Sequence, residues 1–76
     1  MKNMTLQMQR NLYKQYKKSR LSEANNIIAL YATGNYSKPT NAEIVNNAKT
    51  DILKFVSVFE NPIIEEAESD MNEIAV

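Results

Sequence analysis

Five carboxylates, Glu65, Glu66, Glu68, Asp70 and Glu73, crowd one short segment near the C-terminus. Paired carboxylates can do general acid–base work, but only inside a walled pocket that shifts their pKa values. A chain of 76 residues offers little wall. As cation ligands they lack the spacing of an EF-hand loop and the glycine its turn requires. They read as a solvated helix face. Four bases form the opposite constellation: Arg10, Lys14, Lys17 and Lys18. On one face of a helix they could track a phosphate backbone, releasing a counterion at each contact, or meet an acidic protein surface. Tyr36 and Lys38, in a loop-like stretch, form a third candidate contact point.

The residue types that are absent narrow the chemistry further. There is no Cys and no His, so there is no thiol nucleophile, no zinc–thiolate site and no imidazole base. A single Gly, Gly34, leaves no phosphate-cradling glycine loop. The chain therefore reads as non-catalytic and cofactor-free. No run of 18 apolar residues is present, and the N-terminus lacks the apolar stretch of a signal peptide, so the expectation is a cytoplasmic protein without a membrane partner.

The charge is ordered along the chain. Residues 1–20 hold six bases and no acid, residues 60–76 hold six acids and no base, and the net charge is zero. Opposite ends of this kind point to partners before chemistry. With 43% hydrophobic residues a core is within reach but thin, and self-association is the expected extra source of buried area, so a homo-oligomer is anticipated. Ten Asn, seven Lys and seven Ile suggest an A/T-rich gene of the kind found in low-GC bacteria and their phages.

The elements that must position these residues read as helices throughout. Over residues 4–19, Met4, Leu6, Met8, Leu12, Tyr13 and Tyr16 fill one arc and the four bases the other. Leu21 falls on the basic arc, so the pattern slips near Ser19–Ser22, and Ser22 is placed as N-cap of a second helix over 22–33. One long bent helix is the alternative. Gly34 is placed as the stop signal. Thr40 and Glu43 form a capping box for a helix over 41–60, with Ile44, Ala48, Ile52, Phe55 and Phe59 on one face, flanked by Val45 and Val56. Asn61 and Pro62 can open a further helix over 62–74, striped by Ile64, Ala67, Met71 and Ile74, with Glu66, Asp70 and Glu73 facing away. That acidic segment reads either as a docked helix or as a tail that orders on binding. The stretch Ala29…Gly34…Ile44 resembles a helix-turn-helix, which would make Asn46, Asn47, Lys49 and Thr50 a recognition face. However, Gly34–Thr40 takes seven residues where that turn takes three or four.

The resulting reading is an all-α bundle of three to four helices, with a core over 1–61 and an acidic amphipathic segment over 62–76. Its expected role is a small adaptor or inhibitor, phage or mobile-element encoded, that presents a charged helix face to a larger protein or nucleoprotein. The contacts expected to carry it are Arg10, Lys14, Lys17 and Lys18, the loop pair Tyr36 and Lys38, and Glu65, Glu66, Asp70 and Glu73. Two other readings stay open: a DNA- or RNA-binding regulator using the basic helix, and a scaffold whose opposite ends pair head to tail.

Overall fold

The computed structural model describes residues 3–33 and 40–74 and is an all-α bundle of three helices. The first, α1, spans Leu6–Ala32; α2 spans Asn41–Val56; α3 spans Asn61–Glu73. Tyr36, Lys38 and Gly34 lie outside the described residues.

α1 is a single helix of 27 residues, where two were expected over 4–19 and 22–33. Thr5, extended at φ −70° and ψ 162°, caps it by accepting from the Met8 amide. Ser22 is exposed and sits mid-helix. The expected phase slip rested on Leu21 falling among the bases, but the edge of that arc carrying Arg10 and Lys17 faces α3, and only Lys14 and Lys18 face water. Leu21 is one turn beyond Lys17 on the same face and packs against both hydrophobic clusters, so the helix has no reason to break.

α2 begins with the expected capping box: the Thr40 hydroxyl accepts from the Glu43 amide at 3.1 Å and the Glu43 carboxylate accepts from the Thr40 amide at 3.2 Å. Ile44, Ala48, Ile52 and Val56 are buried along it. It ends at Val56 rather than at residue 60. The Ser57 hydroxyl donates to the Lys54 carbonyl at 2.7 Å, offering that carbonyl a partner outside the helical ladder. The turn that follows still buries Phe59. Glu60, not Asn61, is the N-cap of α3, and Pro62 lies in its first turn.

Lengthwise, α2 runs antiparallel to α1. Tyr16 stacks on Phe55 with centroids 4.2 Å apart, Arg20 meets Asp51, and Ala24 packs near Ile44 and Ala48. α3 reverses again and lies parallel to α1, with Arg10 against Glu66 and Lys17 against Asp70. The main core, Tyr13, Ile52, Val56, Phe59, Ile63, Ala67 and Met71, is built from all three helices. A second cluster, Ala24, Ile44 and Ala48, joins α1 and α2 alone. The molecule is a rod, 48 × 18 × 15 Å.

Candidate partner-binding face

The seam between α1 and α3 decides which charges are available to a partner. Arg10 Nε donates to Glu66 at 2.9 Å and Lys17 Nζ to Asp70 at 3.3 Å, with all four side chains about two-thirds buried. Tyr13, fully buried, donates its hydroxyl to the same Asp70 carboxylate, and the Lys17 ammonium lies 5.2 Å from the Tyr13 ring centre. Glu66 and Asp70, expected to face away, therefore point into α1, while Glu65, Glu68 and Glu73 are exposed. The reason is the Ile63–Ala67–Met71 stripe. Burying it turns Glu66 and Asp70, which flank it, toward α1. Ile64, expected on the buried stripe, is only half-buried, and Ile63 takes its place.

Gln9 is the functional-looking residue that sequence periodicity passes over. It is fully buried and closes the end of the bundle. Its Nε2 donates to the Met4 carbonyl at 3.1 Å and to the Glu60 carboxylate at 2.8 Å, and its Oε1 accepts from the Glu60 amide at 2.9 Å. A glutamine can satisfy donor and acceptor together in this way. It performs at the start of α3 what a capping side chain would, and Glu60 has no side-chain cap of its own. The only sequence signal was a polar residue one turn before Tyr13.

With Arg10 and Lys17 turned toward α3 and Gln9 buried, the outer face of α1 consists of Met8, Asn11, Leu12, Lys14, Gln15 and Lys18, all exposed. Met8 is 49% exposed and Leu12 38%, although both were expected to be core. The expected apolar arc is rotated because the buried strip of α1 runs through Gln9, Tyr13 and Ala24. Among the described residues no carboxylate pairs with Lys14 or Lys18. The structure thus divides the four predicted bases into two committed to the fold and two left on the surface.

The helix-turn-helix resemblance fares differently on each side of its turn. The connection lies largely outside the described residues; Asn46, Asn47 and Thr50 are exposed, and Lys49 donates to the Ile74 carbonyl at 2.6 Å. Among the described residues no group of Asp, Glu, His or Cys is arranged to hold a metal ion, and no helix is long and apolar enough to cross a membrane.

Burial raises the Tyr13 phenol above its usual range, and its hydrogen bond to Asp70 and the nearby negative charge of Asp70 and Glu66 raise it further. The unfolded chain releases that proton near pH 10 while the folded chain holds it, so the unfolded state binds fewer protons above that pH and stability falls as pH rises. The tyrosine contribution is fully present below about pH 10 and is lost above it. Tyr13→Phe is expected to flatten the decline of the urea midpoint between about pH 9.5 and 11. An unchanged decline would show that Tyr13 is not its source.

Compared with protein-family models, curated proteins and solved structures, the chain matches none.

Proposed function

We propose that the protein is a non-catalytic binding module that uses the outer face of α1 to engage a larger protein through an acidic, partly apolar surface. The observation that carries this is the pairing of two uncompensated bases, Lys14 and Lys18, with exposed Met8 and Leu12 on one acid-free helix face. Exposed apolar side chains beside charge of one sign suit a protein interface, in which the apolar groups supply affinity and the charge supplies steering. The same division of charge counts against nucleic acid as the main partner. With Arg10 and Lys17 held by α3, two lysines remain for phosphates, a small footprint for affinity that depends on the number of neutralised phosphates. An adaptor or inhibitor role fits this geometry, since a rod with one committed face needs no pocket of its own.

The test is a double charge reversal, Lys14→Glu with Lys18→Glu, used as bait in extracts of the native host, with one sample treated with nuclease. Both residues are exposed, so the variant should melt within about 0.5 kcal/mol of the parent. The expected result is loss of a protein that the parent retains after nuclease treatment. A partner that disappears on nuclease treatment, or duplex DNA binding at physiological salt that vanishes in the variant, would instead support the nucleic-acid regulator.

A further inference from the structure

The groove that α3 fills does not end where α3 ends. The stripe of α1 that faces α3, through Arg10, Tyr13 and Lys17, continues at the same spacing through Leu21, Ala24 and Ile28. On α2, Lys49 holds the carbonyl of Ile74 just past the end of α3, and Val45 lies one turn further toward the tip on the same side. Beyond that level the rod is an arm of two helices. Leu21 marks the boundary, packed against the core that α3 shares, and Ile28 and Val45 are half-buried beyond it. They line a groove that no third helix covers among the described residues.

We propose that two copies of this chain pair through these arms, each arm taking in the other the place that α3 takes in the first half of the rod. The result is a four-helix segment at the centre of an elongated dimer with two-fold symmetry. Charge favours a second copy as occupant. A two-fold contact sets a surface against itself, so a surface of one sign would repel itself. The stretch of α1 from Ala24 to Thr33 carries no charge at all, unlike the basic half before it.

The area is also sufficient for a reversible dimer. Twelve residues of α1 at 1.5 Å each, by two helix diameters, give a face of roughly 350 Å² in projection, and more in accessible surface once side chains are counted. Two such faces approach the roughly 1,000 Å² at which specific interfaces begin. The expected affinity is therefore modest, on the order of micromolar. The contact leaves Lys14 and Lys18 uncovered, so the inference does not depend on the outer face of α1 being the recognition surface.

The test is sedimentation equilibrium of the full chain across a concentration series, together with Ile28→Glu, Val45→Glu and Ile28→Cys. Ile28 lies near the middle of the arm and so near the two-fold axis, and the chain has no other cysteine. The parent is expected to dimerise reversibly. Either glutamate should weaken the dimer at least about tenfold, as expected when a central apolar contact is lost. The Ile28→Cys chain should give a disulfide dimer on mild oxidation, while a Lys14→Cys control should not. The cysteine arm keeps the test decisive if a glutamate variant fails to fold. A parent that stays monomeric at high concentration, a dimer indifferent to both glutamates in folded chains, or equal cross-linking from positions 14 and 28 would overturn the proposal.

Discussion

A chain cut after Asn61 is expected to lose its cooperative thermal transition. The cut removes Ile63, Ala67 and Met71 from a core shared with Tyr13, Ile52, Val56 and Phe59. Burying one large apolar side chain contributes roughly 1.5–3 kcal/mol, so the two large ones and the alanine together stabilise by about 5 kcal/mol. The whole stability of a chain this size is on the order of 4–11 kcal/mol at 0.05–0.15 kcal/mol per residue. The cut also strips Tyr13, Arg10 and Lys17 of the carboxylates they contact. Circular dichroism of the truncated chain should show reduced helicity and a broad, weakly sigmoidal melt. A melt as sharp as the parent's and within a few degrees of it would show that α3 is an appendage, returning the acidic segment to the role of a detachable tail.

Gln9→Ala should be the most damaging single polar substitution. It leaves the Glu60 amide without its acceptor and the Met4 carbonyl and Glu60 carboxylate without their donor, and opens a cavity where the Gln9 side chain was fully buried. Truncating a fully buried side chain leaves a cavity, and the three lost hydrogen bonds contribute about 0.5–1.5 kcal/mol each, so a loss of roughly 2–4 kcal/mol is expected. At about 4–8 °C per kcal/mol for a domain of this length, the melting point should fall by about 8–30 °C. Gln9→Glu restores the acceptor for the Glu60 amide but places a second carboxylate beside the Glu60 side chain, so it should rescue little at neutral pH. A fall of only a degree or two in Gln9→Ala would mean that water serves these groups as well as Gln9 does.

These two sites mark where sequence patterning reached and where it stopped. Helices over 41–60 and 62–74 were legible because Ile44, Ala48, Ile52, Ala67 and Met71 recur at helical spacing and Thr40 with Glu43 announces a start. The buried face of α1 was not legible, because periodicity assigns apolar residues to the core one helix at a time. Gln9 and the Arg10–Lys17 edge turn inward only because α3 brings Glu60, Glu66 and Asp70 to meet them across more than fifty residues of sequence. The same long-range pairing explains Leu21. It looked out of phase among bases, yet Arg10 and Lys17, the bases of its own stripe, line the α1–α3 interface. The basic and acidic ends, a clear signal in the sequence, serve first to seat α3 on α1. What remains of the candidate site after that seating, Lys14 and Lys18 beside Met8 and Leu12, required the third dimension.

The claim that the outer face of α1 is the recognition surface is tested most directly by site-specific photo-cross-linking in the native host. A benzophenone amino acid at position 15, between Lys14 and Lys18, is compared with one at position 68 on the exposed face of α3. An adduct from position 15 that is resistant to nuclease, sensitive to protease and lost when Lys14 and Lys18 are both changed to Glu is the predicted result. A nuclease-sensitive adduct, or one that forms from position 68 and not from position 15, would contradict it.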